Sequence, residues 1–184
     1  RTAILAAGGA AKCNVFTRIT LALFGQVPWR AVPVMPIEVM HLPKWFFFHL
    51  SKISYWSRTV IVPLLILMTL KPKAVNSGNI NIGELFETPP ENEKHYLMNS
   101  TGTWAGEFFL FFDKVLRLIE PFMPRRLRSR AIKKALAFIS ERLNGEDGLG
   151  GIFPAMANTV MAFHTLKYPK DDEDFIIAKA AIEK

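Results

Sequence analysis

The chain has 184 residues, half of them hydrophobic, with 15 phenylalanines and a formal net charge of +7. It is long enough for one domain with a real core, and more apolar than an ordinary soluble domain. The single cysteine, Cys13, excludes an internal disulfide and suits a reducing compartment, and the basic residues are not interleaved with aromatics in a nucleic-acid recognition motif, so no nucleic-acid partner is expected.

The chain starts at Arg1 without a methionine, shows no signal peptide and stops at Lys184 within a helix-like pattern, and is read as a fragment. Asn14 is placed to cap a first helix carrying Phe16, Ile19 and Leu23 on one face, stopped by Gly25. Pro28, Pro33, Pro36 and Pro43 cut the next stretch into short pieces. That stretch, 33–59, is dense in aromatics and proline and is interrupted by single charges. Such a density suits either a membrane contact or the wall of a large apolar cavity. A strong helix is expected from Ser51 or Ser54 to about Leu70, with Pro63 kinking it. Its uninterrupted apolar run, Val60–Met68, is far short of the roughly 20 residues that a bilayer span needs, though a segment lying in the interface remains open. Residues 71–102 read as loop, with at most one turn around Ile82–Phe86.

Two long helices follow. In the first, over Gly106–Phe122, Phe108, Phe111, Phe112, Val115, Leu118, Ile119 and Phe122 recur at helical spacing opposite Asp113, Lys114, Arg117 and Glu120. Pro121 and Pro124 end it. The second carries Ile132, Ala135, Leu136, Ile139 and Leu143. Asn144-Gly145-Glu146-Asp147-Gly148 is a turn, and Pro154 opens a helix Ala155–Leu166 rich in small residues. Asp171–Asp174 opens a final helix to Lys184. Strands of period two are not expected. Helices alternating with glycine–acidic turns predict an all-α fold of antiparallel helix pairs, an α/α barrel or solenoid.

Catalytic and metal chemistry is absent from the pattern. His41, His49, His95 and His164 have no metal-ligand spacing with acids or Cys13, and no nucleophile motif appears. Gly148-Leu149-Gly150-Gly151 lacks the strand before and the Lys-Ser/Thr after that a phosphate cradle needs. No cofactor and no metal are expected. Asp171-Asp172-Glu173-Asp174 invites a reading as paired catalytic acids, but four acids in a first helical turn complement the helix dipole and cap free N–H groups, and that reading is preferred.

Several segments, in order, carry a resemblance. Val15-Phe16-Thr17-Arg18 with Leu21–Gly25 and Pro28-Trp29, then Pro33–Met40, Ser54–Val60, Glu84–Thr88 and Asp147–Met156, resemble the N-terminal half of squalene–hopene cyclases across essentially the whole chain. The resemblance implies an incomplete α/α barrel (toroid) within a two-domain, all-α terpene cyclase that is monotopic on the cytoplasmic face of the membrane. Residues 1–150 would belong to the smaller barrel domain, and 151–184 to the return toward the larger, catalytic one. The implied reaction is acid-initiated polycyclisation of squalene to hopene or hopanol through carbocations. The aspartate motif DxDD that supplies the proton falls outside this chain, so no residue here is expected to be catalytic and the segment alone should be inactive.

By the same resemblance, Trp56, Ile152, Pro154 and Phe16 border the substrate cavity, and Ile53 and Ile61 line the constriction of its access channel. Phe153 stands where glutamine can occur in the family. Leu143 and Leu149 replace the glutamine and tryptophan of the family's repeat motif, so the usual stacking is not expected at that turn. Phe108, Phe111 and Phe112, followed by the basic run 125–130, read either as a membrane-dipping helix with a headgroup-binding rim or as a core helix with a solvated basic turn. Squalene and membrane lipids are the expected partners, with a homodimer open. The alternatives are a non-catalytic helical lipid-binding module at a membrane surface, and an α/α-toroid cyclase acting on another terpene.

Overall fold

Seven α-helices and one two-residue β-ribbon carry the fold of the described residues, 1–99, 102–145 and 147–183, in the computed structural model. The chain is all-α in class, as expected. Glu146 of the glycine–acidic turn, Ser100 and Thr101 of the long loop, and Lys184 at the close of the last helix lie outside the described residues. Two compact units form, one from Arg1–Val34 with Lys71–Ile119, the other from Met35–Leu70 with Glu120–Lys184.

The first unit contains α1 (Thr2–Ala6), α2 (Val15–Leu23) and, further along the chain, α4 (Trp104–Ile119). The Asn14 side chain accepts the Thr17 amide proton at 2.9 Å and caps α2. Gly25, at φ +68, stops it in a conformation that a side chain would strain. The long loop after Leu70 has little regular structure of its own and is tied down by side chains reaching its backbone. Gln26 donates to the Ile80 carbonyl at 2.9 Å and accepts from the Ile82 amide at 3.0 Å. The buried Arg18 guanidinium donates to the carbonyls of Tyr96 (2.6 Å), Ala31 (3.2 Å) and Cys13 (2.7 Å). Three carbonyls thus satisfy a cation that has left water.

α4 is oriented contrary to the simplest reading of its sequence. Asp113 is buried, accepts from the Val34 amide at 2.7 Å and pairs with Arg117 at 2.6 Å. Arg117 also donates to the Val32 carbonyl at 2.7 Å. The charged face is the anchored one, while Phe108, Phe109, Phe111 and Leu118 are 48, 51, 65 and 72% exposed. The helix itself ends at Ile119 and is continued by a 3-10 turn, Glu120–Phe122.

The second unit is built around α3 (Tyr55–Leu70), with α5 (Arg125–Ser140), α6 (Phe153–Thr165) and α7 (Glu173–Glu183). Ser54 caps α3 by accepting from the Ser57 amide at 3.2 Å. From Val62 to Thr69 every α3 residue is buried, the all-round apolar character of a central helix. Burying Leu65, Ile66 and Leu67 stabilises the unit by about 1.5–3 kcal/mol each. Pro63 lies inside this helix, where it removes one backbone donor. α3 packs on α5 and α6, which present the buried small residues Ala131, Ala135, Ala155, Thr159 and Ala162. Phe163 fills the space under α7, against Tyr168 (ring centroids 4.7 Å apart) and Phe175 (6.3 Å).

The glycine turn holds the one departure from an all-helical pattern among the described residues. β1 (Leu143–Asn144) pairs antiparallel with β2 (Gly148–Leu149), with Leu143 opposite Leu149. Leu149 is fully buried, so an apolar cross-strand pair occupies the two positions where the resemblance puts glutamine and tryptophan. Gly148, at φ +62, lies where a Cβ would come within 2.6 Å of the Ala181 Cβ, so only glycine lets α7 approach this closely. The acidic run behaves as a cap: Asp172 accepts from the Phe175 amide at 3.3 Å, and Asp174 pairs with the Ser140 hydroxyl.

Candidate functional site

In the second unit, two segments singled out in the sequence meet. Trp56 stands in the first turn of α3, just after Ile53. Thr59, fully buried one turn further on, donates its hydroxyl to the Trp56 carbonyl at 2.8 Å. The backbone of the glycine turn runs directly against this threonine: a Cβ on Gly150 would be 2.9 Å from its Oγ1 and 3.2 Å from its Cβ. Gly150 and Gly151, at φ +73 and +64, turn the chain there and deliver Ile152, Phe153 and Pro154 to the start of α6. Pro154 is the second residue of that helix, where its missing N–H leaves nothing unsatisfied. Asn158 of α6 in turn donates to the Val60 carbonyl of α3 at 3.5 Å.

The first turns of α3 and α6 thus adjoin through Thr59 and Gly150. Trp56 is 55% exposed and Phe153 66%, Pro154 is exposed, and Ile152 is half-buried. Ile53 is exposed ahead of α3, and Ile61 is half-buried on it. The apolar groups are therefore presented by a rigid base instead of being packed into it. Phe16, 61% exposed on α2, belongs to the first unit. Phe108 and Phe111 are exposed on α4 and Phe112 is half-buried, its ring stacked on that of Phe108 at 6.2 Å.

No titratable group of this apolar surface has a displaced pKa. The two displaced groups lie elsewhere: Tyr96 and Tyr168 are both raised, chiefly by burial. Among the described residues no three His, Cys, Asp or Glu side chains gather as a metal site, and no helix is long and apolar enough to cross a membrane.

Two residues escape a sequence reading. Thr59 positions the Trp56 turn, and the glycine pair is the only linear hint that something must approach so closely. Arg58 has its Nε buried without a hydrogen-bond partner, although its segment looks like ordinary helix.

A family model described as the squalene–hopene cyclase N-terminal domain matches residues 1–184. The chain belongs to the squalene–hopene cyclase family. It is 48% identical over 184 residues to the squalene–hopene cyclase of Zymomonas mobilis, covering all of this chain and 28% of that protein. With the Bradyrhizobium diazoefficiens squalene–hopene cyclase it shares 49% over 187 residues, again all of this chain and 28% of the relative. A dammaradiene synthase from Dryopteris crassirhizoma is 31% identical over 169 residues, 92% of this chain and 24% of that enzyme. The chain therefore spans little more than a quarter of the length of these family members.

Proposed function

We propose that this chain is the segment of a squalene-cyclising enzyme that lines the substrate cavity and its access channel. Trp56, Ile152 and Pro154 border the cavity, and Ile53 and Ile61 constrict the channel. Phe16 is given a cavity role by the family resemblance. The observation that supports the reading is the junction of Thr59 with Gly150, which gathers the Trp56 turn and the 152–154 turn at the start of α3 and α6. A substrate without polar groups is held by burial of apolar area, about 25 cal/mol per Å² at most. A carboxylic acid elsewhere in the enzyme protonates a terminal double bond. The cation moves through ring closures and ends by losing a proton or capturing water. An indole face stabilises such a cation by about 0.5–2 kcal/mol without bonding to it, while aliphatic side chains such as Ile152 set the shape and keep water out.

Trp56→Ala in the full-length enzyme tests this. Squalene conversion should fall by about 2- to 30-fold with a rise in prematurely terminated products, and Trp56→Phe should recover part of the loss. Wild-type rate and product profile in Trp56→Ala would overturn the cavity assignment.

The same reading places Phe108, Phe111 and Phe112 against the membrane, on its cytoplasmic face. Support comes from the inverted helix α4, which anchors Asp113 and Arg117 inward and leaves its phenylalanines outward. Phe108→Asp with Phe111→Asp should lower partition of the full-length enzyme into liposomes; unchanged partition would reject the role. A lipid-binding module without chemistry shares this feature, and the Trp56 product assay separates the two readings.

A further inference from the structure

The second unit carries an exposed aromatic loop that the cavity reading leaves unused. Trp45 and Phe47 are each 79% exposed, more than any cavity candidate. They are not on a slack segment. Phe46 donates its amide to the Pro43 carbonyl at 2.9 Å, His49 to Phe46 at 3.1 Å and Lys52 to His49 at 2.9 Å. The rings brace one another, with Trp45–Phe46 at 5.9 Å and Phe47–Phe48 at 5.0 Å, both edge to face. Exposed lysines, Lys44 and Lys52, flank the loop. Holding two large aromatics in water on a folded turn opposes the hydrophobic effect, so the feature calls for an apolar occupant.

The stem of this loop is fastened to a second unusual element. The buried Glu38 pairs with Arg128 at 3.0 Å, and the His41 Nε2 meets the Leu127 carbonyl at 3.2 Å. Both partners lie in the first turn of α5. That turn contains no acidic residue, while Arg125, Arg126 and Arg130 are exposed and pair with no carboxylate among the described residues. Arginines at a helix N-terminus oppose the helix dipole. A local rule broken at an exposed site marks an external anion. Trp45 follows His41 by four residues, so it lies within about 14 Å of that junction along the chain.

We infer that the loop 43–52 and the first turns of α5 form one docking surface for an anionic lipid bilayer, with Trp45 and Phe47 entering the interface and Arg125, Arg126 and Arg130 binding headgroup phosphates. Charge complementarity and interfacial aromatics select this occupant: a protein partner would not need wedge and cations together, and a free phosphate would not cover the rings. The inference concerns residues other than α4 and does not rest on the cavity reading.

The full-length protein is mixed with vesicles of phosphatidylcholine alone, or of phosphatidylcholine with phosphatidylglycerol, and its partition is measured. Arg125→Gln, Arg126→Gln and Arg130→Gln together should weaken binding to the anionic vesicles by about fivefold per cation and leave the neutral ones unaffected. Trp45→Ser with Phe47→Ser should weaken both by about tenfold or more. Replacing the three arginines by lysine keeps the charge and should keep the anionic preference. All the substituted side chains are exposed, and melting temperatures are compared alongside. Unchanged partition in either Gln or Ser variant overturns the inference, as does an equal loss on both vesicle types in the Gln variant, or loss of the anionic preference in the Lys variant.

Discussion

At the level of single residues, Gly150 fixes where Trp56 sits. Its positive φ would strain any side chain by about 1–2 kcal/mol, and the Thr59 hydroxyl stands 2.9 Å from where a Cβ would be. Gly150→Ala in the full-length enzyme should therefore lower stability by at least the strain term, seen as an earlier urea midpoint, and should also disturb product distribution because the α3–α6 junction must open. Tyr168 offers a pH test. Its pKa is raised, first by burial and then by the carboxylates Asp172 and Asp174. The folded state thus holds the phenolic proton more tightly than the unfolded chain does. The stabilisation is fully present below the ordinary tyrosine value of about 10 and is lost as pH rises through the folded value. Tyr168→Phe cannot ionise, so its melting temperature should fall less than that of the wild type between pH 9 and 11 on thermal scans.

Among the elements, α2, α3 and α6 were the most legible, since a capping Asn14, a serine before an apolar run and a proline at a helix start are local signals that tertiary packing had no reason to overrule. α4 was legible as a helix but not in its orientation. Periodicity separates two faces without saying which is inward, and the inward one is decided by Asp113 and Arg117 finding the backbone of residues 32–34. The β-ribbon escaped notice because two residues per strand are too few for a period. The Trp56 and 152–154 segments stood out in the sequence, but their meeting depends on Thr59, whose role appears only when α3 and α6 pack. The link between Ile37–His41 and α5 is equally non-local and can be measured. Glu38 is buried beside Arg128, and its Oε2 has no partner. Removing the arginine alone leaves an uncompensated buried charge and should be strongly destabilising, about 3 kcal/mol or more. Glu38→Gln with Arg128→Met should recover part of that loss. A double-mutant cycle on the full-length protein should give a coupling of about 1–3 kcal/mol; additive effects would remove the pair from the account of the fold.

For the molecule as a whole, the decisive number is the 28% of a family member that this chain spans. Phe16, Trp56, Phe111, Leu118 and Phe153 are each more than half exposed here. Their combined apolar surface exceeds what a monomer leaves open without a function. Inside a complete cyclase, the same groups are expected to face substrate, lipid or further protein. The four-acid run supplies no substitute for the missing proton donor, because Asp172 and Asp174 are engaged in capping α7 and in pairing with Ser140. Expressed alone, the 184-residue chain should bind a hydrophobic dye, aggregate as its concentration rises, and leave squalene unchanged in gas chromatography of the extract. The full-length enzyme should do none of the first two and should convert squalene. Dye binding depends only on exposed apolar surface and conversion only on the missing acid, so the two readouts can fail separately. A soluble, dye-silent segment would mean that these aromatics cover one another in solution. Hopene formed by the segment would mean that a proton donor lies within these residues after all.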